Sequence, residues 1–380
     1  MVELREQKAR EFYGEDKWQD MEPKSKACFD FLCGNHTRNL PIDWFNRLYQ
    51  KWIQTKIGDE LKTAKSAAGG AVRLEGSGEA FLRSICKLTH RGHAQYDKGD
   101  GDAFADYLAE RYPGLTNKCV GRADFAKRQD WSLECAFDVF PLVDALMSYT
   151  ITTLVGEANV LRDTCLLQIE CHHFEAYIHV TAVLWRKVFK ELRGLTNSKG
   201  IELNPLELNF LYECLYDLGT SLQSDKCFDV FEDNFRAWPH IYKPLGRSKK
   251  FYGKIERNLK EDLIQLRSYK EREDTINYTA ILKEVLGLFG AGIHGSLTFT
   301  LKKYLRQTDG PLQNDKRQQW ERNAAKHMLC HNNNAERPFA VVRALTMGYT
   351  RQSHCTICPI SHTQLLTEHI AQNMYSDGLP

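Results

Sequence analysis

The sequence has no run of apolar residues that approaches the ~20 a membrane-spanning helix needs, which predicts a chain without a membrane partner. It also lacks a charge excess of either sign. Lys and Arg number 51 against 49 Asp and Glu, for a formal net charge of +2. No global field advertises nucleic acid or a basic partner, so any such surface has to be local. The stretch from Met1 to Gln19 is charged and has no apolar core. That predicts a protein that is not secreted and works inside the cell, in nucleus or cytoplasm. In a reducing compartment the 12 cysteines are expected as free thiols or metal ligands rather than disulfides.

Several chemical signatures are missing as well. There is no Gly-x-Gly-x-x-Gly after a strand, no Walker loop, no Gly-x-Ser-x-Gly elbow and no His-Glu-x-x-His. Rossmann dehydrogenases, nucleotide hydrolases, α/β-hydrolases and zincins lose support accordingly. Alternating strand patterns are nearly absent; Ala71 to Leu74 is the best of them and is short.

What is present is helical periodicity. The expected fold is mostly α, a multi-helical bundle with little or no β-sheet. Pro41-Ile42-Asp43 reads as a helix start, with Trp44, Leu48, Trp52 and Ile57 on one stripe. Gly76-Ser77-Gly78 is a turn, and a helix from Glu79 carries Phe81, Ile85 and Leu88. From Arg122 to Arg193 the pattern is long and apolar on too many sides for a surface helix, with breaks near Pro141 and Gly156. Leu166, Ile169, Phe174, Ile178, Val183 and Phe189 are the predicted core. Later helices carry Leu211, Leu215 and Leu218, and span Thr279 to Leu305. The predicted organisation is an N-terminal helical segment over 1–70, a central helical core over 79–222, a C-terminal helical region over 223–350 and a Cys/His-containing tail over 351–380.

Four constellations carry chemistry. The first is Asn332-Asn333-Asn334-Ala335-Glu336-Arg337-Pro338-Phe339-Ala340. By itself it reads as a capped helix, with Asn334 as cap, Glu336 at the positive end of the dipole, and Phe339, Val342 and Leu345 facing inward. The stretch 332–345 also resembles the C-terminal signature of hAT-type transposases, a polar run leading into Glu-Arg-any-Phe-Ser on a helix. The resemblance implies that Glu336 is a catalytic carboxylate of a three-carboxylate metal site, with Arg337 and Phe339 flanking it. Ala340 stands where the family has Ser. The family's other two carboxylates sit on or beside strands of an RNase H-like sheet, whereas Asp138 and Asp144 fall in a helical context here.

The second is Cys355-Thr356-Ile357-Cys358-Pro359-Ile360-Ser361-His362. A Cys-x2-Cys pair with a nearby His suits three corners of a tetrahedral zinc site, and Cys330 or His331 is available for the fourth. Structural zinc is the one cofactor this predicts; free thiols in a loose tail are the alternative. The third is histidine clustering: Cys86, His90 and His93 at helical spacing, a Glu170/His173 Glu-x-x-His pair, and His172 with His179 seven residues on. The fourth is basic. Arg247, Lys249, Lys250, Lys254 and Arg257 interleave with Phe251 and Tyr252, a pattern able to track phosphates and stack bases, or simply a solvated helix start.

Together these predict a helical interaction protein without catalytic activity, of transposase-like descent, contacting nucleic acid through 247–257. One alternative is a metal-dependent DNA-processing enzyme that uses Glu336. Another is a purely protein-binding helical scaffold, paired with a protein partner or with a second copy of itself.

Overall fold

The computed structural model describes residues 7, 10–11, 14–20, 34–63, 76–89, 101–115, 131–152, 160–197, 209–232, 235, 237, 275–302 and 305. The chain divides into two compact units, Met1–Cys330 and His331–Pro380, and every described residue belongs to the first. Among the described residues the regular structure is helical throughout, with no strand, as the periodicity predicts. The best strand candidate, Ala71 to Leu74, lies outside the described residues.

A short helix α1 (Glu15–Asp20) precedes the long α2 (Gly34–Thr63). Helix α2 does not open at Pro41 as the sequence suggests. It begins at Gly34 and carries Pro41 inside, and a non-helical Ile57 (φ −135°, ψ 19°) kinks it near its end. Proline within a helix forfeits one backbone hydrogen bond. Burial of Ile42 and Phe45 just beyond it offsets that loss. The buried stripe is also rotated from the expected one. Ile42, Phe45, Tyr49 and Ile53 are fully buried, while of the expected stripe Trp44, Leu48 and Trp52 are half-buried and Ile57 is buried. Spacings of three, four and four keep the four buried residues on one face.

That face meets the last described helix, α11 (Thr275–Leu301). The two backbones come close because α11 offers Gly292 at the crossing. A Cβ there would lie 2.8 Å from the Phe45 backbone nitrogen. Phe45 stacks on Tyr177 and tilts against Phe289, with centroids 5.5 and 4.5 Å away.

Between these two helices in sequence come α3 (Gly78–Leu88), α4 (Gly101–Arg111), α5 (Trp131–Val139), α6 (Val143–Thr152), α7 (Val160–Ile169), α8 (His172–Leu184), α9 (Lys190–Asn197) and α10 (Asn209–Leu222). Ser77 caps α3, its hydroxyl accepting from the Ala80 N–H at 3.4 Å. The predicted break at Pro141 is a 3-10 turn, Phe140–Leu142, between α5 and α6.

Helix α8 is the centre of the described helical body. It packs against α5, α7 and α11, and every residue from Ala176 to Leu184 is buried. Of the predicted core, Ile169, Phe174, Ile178, Val183 and Phe189 are buried, and Leu166 is only half-buried. Each large side chain fully buried here contributes ~1.5–3 kcal/mol. One feature the sequence did not suggest is a π-helical turn, Trp185–Phe189, that continues α8. It holds the buried Arg186 and Lys187, and the Lys187 ammonium donates to the Glu232 carbonyl at 2.6 Å.

Helices α2, α8 and α11 come from the three predicted helical segments in turn, and they pack on one another. Two stretches, Trp131–Thr152 and Asn277–Thr300, are long and apolar enough by length and composition to cross a membrane. Intervening polar residues hid them from a search for unbroken runs. More than half of each is buried inside the helical body, as core helices require.

Candidate functional site

Helix α7 ends because the chain turns at Glu170 and Cys171. The Cys171 N–H donates to the Gln168 carbonyl at 3.3 Å, and the Cys171 backbone is extended. Its carbonyl then accepts from the N–H groups of Phe174 and Glu175 at 3.0 and 3.2 Å, starting α8. The Tyr49 hydroxyl pins the restart by donating to the His173 carbonyl at 2.9 Å.

This turn forms one wall of a cleft of about 490 Å³. Helix α2 supplies Trp52, Lys56 and Glu60, and α11 supplies Asn277, Ile281 and Glu284. Volumes of this order suit a small molecule or one or two side chains of a partner.

The polar groups of the cleft are organised around Glu284. Its carboxylate accepts from the Trp52 indole N–H at 2.7 Å and from the Lys56 ammonium at 2.8 and 3.0 Å. Burial acts to raise the Glu284 carboxyl, but the hydrogen bonds from Lys56 and Trp52 outweigh it and hold the group below its usual value. The Lys56 ammonium also lies 5.9 Å from the centre of the Trp52 ring. The His173 imidazole flanks the same indole at 5.3 Å.

The Cys171 thiol lies 3.7 Å from His173 Nδ1. Such a pair resembles a nucleophile with its base. Its electrostatics run the other way. Burial pushes the thiol up, against the neighbouring N–H groups of His173 and Phe174. Burial and the Lys56 charge together push the imidazole down. Both partners are held neutral, whereas a nucleophilic pair requires thiolate and imidazolium.

The structure also corrects the diiron-like pattern. Glu170 lies in the bend before α8 and His173 in its first turn, so they do not share a helix face as Glu-x-x-His ligands do. His172 lines the cleft, and its Nδ1 is 3.6 Å from Glu175. His179 is buried elsewhere, 3.2 Å from the Tyr278 hydroxyl and stacked on Phe140. Among the described residues no three His, Cys, Asp or Glu side chains are placed to hold a metal ion. Asp138 and Asp144 sit on α5 and α6, half-buried and exposed respectively.

Glu336, the basic set Arg247, Lys249, Lys250, Lys254 and Arg257, and the zinc candidates Cys330, His331, Cys355, Cys358 and His362 lie outside the described residues. So do His90 and His93. The cleft itself was missed in the sequence. Its one local signal is the Glu-Cys-His-His break between two apolar helical runs. The Trp52–Glu284 pairing spans 232 residues and leaves no local trace.

Comparison of the chain with models of known families, with curated proteins and with solved structures returned no match.

Proposed function

We propose that this chain is a helical interaction protein and that the cleft between α2, the 170–173 turn and α11 receives a cationic group of its partner. The carrying observation is the Lys56 ammonium, lodged against the Glu284 carboxylate and near the Trp52 ring. That is the geometry in which proteins recognise alkylammonium and guanidinium groups. Glu60, Glu170 and Glu284 line the cleft against one lysine, and His173 is held neutral. The resulting field attracts cations and repels phosphate. The neutral thiol–imidazole pair further supports recognition over covalent catalysis.

Nucleic-acid contact is a separate proposal, resting on the basic and aromatic residues of 247–257 in the sequence. Structural zinc at the Cys/His tail and a metal-dependent nuclease role for Glu336 are further proposals that rest on the sequence. A titration of the whole protein with an Arg-rich peptide, a Glu-rich peptide and duplex DNA separates these readings. The first reading expects heat from the Arg-rich peptide that falls with added salt and is lost in Trp52→Ala. Binding of DNA alone, unaffected by Trp52→Ala, would move the function to the 247–257 segment.

A further inference from the structure

Between α3 and α5 lies a pair of thiols the cleft does not use. Cys86 is on the last turn of α3 and Cys135 is in the middle of α5. Forty-nine residues separate them in sequence, yet their sulfurs are 3.3 Å apart and both side chains are fully buried. Helices α3 and α5 pack directly on each other.

We propose that Cys86 and Cys135 form a reversible internal redox cross-link. A disulfide needs the sulfurs at ~2.05 Å, so they must close by about 1.3 Å, within reach of small side-chain rotations. The oxidant is a hydroperoxide. One thiol, as thiolate, attacks the peroxide oxygen and becomes a sulfenic acid, releasing one water (or alcohol). The second thiol displaces the sulfenic oxygen as a second water and the S–S bond forms. Two thiols lose two electrons and two protons in all, and the peroxide O–O bond breaks.

Burial sets the rate. Neither sulfur is accessible in the closed protein, so reaction waits on opening of the α3 end, where Cys86 is two residues from the helix terminus. Once formed, the bond joins the two helices that buttress α7 and α8: α3 packs on α7, and α5 packs on α8. The junction of α7 and α8 carries Cys171 and His173, so the cross-link braces the wall of the cleft from behind.

The test treats the native, fully reduced protein with hydrogen peroxide. Remaining thiols are then alkylated, the protein is digested with trypsin, and the peptides are weighed. The expected product links peptide 84–87 to peptide 129–162, two hydrogens lighter than their sum, and dithiothreitol reverses it. The oxidised protein melts several degrees higher, because a closed loop of this length restricts the unfolded chain. Cys86→Ala and Cys135→Ala each abolish the linked peptide. The wild-type map stands alone if either variant folds poorly. Two alkylated, unlinked peptides after oxidation would overturn the proposal, as would links from either cysteine mainly to other cysteines.

Discussion

Helix α8 and the cleft at its start make an instructive contrast. From Ala176 to Leu184 each residue is buried, and aromatic or aliphatic neighbours close around it on all sides. Three to five residues earlier, His173 and Cys171 line a cleft where polar groups satisfy one another across α2 and α11. The interior owes its stability to area removed from water, which depends on how many apolar groups are present and how tightly they fit. The cleft depends on which charge sits beside which ring. Substitutions should therefore cost stability in the first region and change binding and pH response in the second.

The largest expected effect belongs to the interior. Phe174 is fully buried and meets Phe81 edge-on at 5.3 Å. Phe174→Ala should cost ~3–5 kcal/mol in chemical denaturation. A loss below about 1 kcal/mol would put α8 at the surface and erase the contrast. Next comes the crossing of α2 and α11. Gly292→Ala puts a methyl group against the Phe45 backbone, which has no rotamer to move aside. Overpacking of this kind should cost ~1–3 kcal/mol; a neutral result would mean that the helices sit further apart than described.

Smaller effects belong to the cleft. Lys56 and Glu284 are both partly exposed, so Glu284→Gln should cost only ~0.2–1 kcal/mol and less at high salt. A cost as large as that of Phe174→Ala would show that the cleft is a buried polar core. The pH response of His173 is smaller still, and its sign is fixed. The folded imidazole lies below its ordinary value of 6.5, so the unfolded chain takes up the proton first. The stabilising contribution is complete above about 6.5 and declines as the pH falls below it. Wild type should therefore lose stability relative to His173→Gln between pH 7.5 and 5.5. A relative gain on acidification would mean that a carboxylate, with Glu60 the stronger influence ahead of Glu284, dominates the imidazole.

The same contrast explains what could be read in advance. The all-helical fold and the buried Phe174, Ile178, Val183 and Phe189 follow from apolar periodicity, which burial on every side leaves in the sequence. The stripe on α2 was misjudged because its aromatics occupy adjacent faces. Which face turns inward is decided by Gly292 on a helix more than 240 positions away, not by α2. The π turn escaped because Arg186 and Lys187 look like surface residues until the Glu232 carbonyl is brought to Lys187. The cleft escaped for a similar reason. A tryptophan, a lysine and a glutamate are ordinary helix residues, and only the packing of α2 on α11 makes them a site. Cys86 and Cys135 likewise read singly as small apolar fillers.

The cleft's preference for cations is tested most directly by removing its resident one. Lys56→Gln leaves Glu284 and the Trp52 ring in place and vacates the position a guest ammonium or guanidinium would take. The affinity for an Arg-rich peptide, measured by calorimetry at low salt, should rise roughly threefold to tenfold over wild type. An unchanged or lower affinity for that peptide would contradict a cation-binding cleft, because removing a like charge from such a site strengthens it.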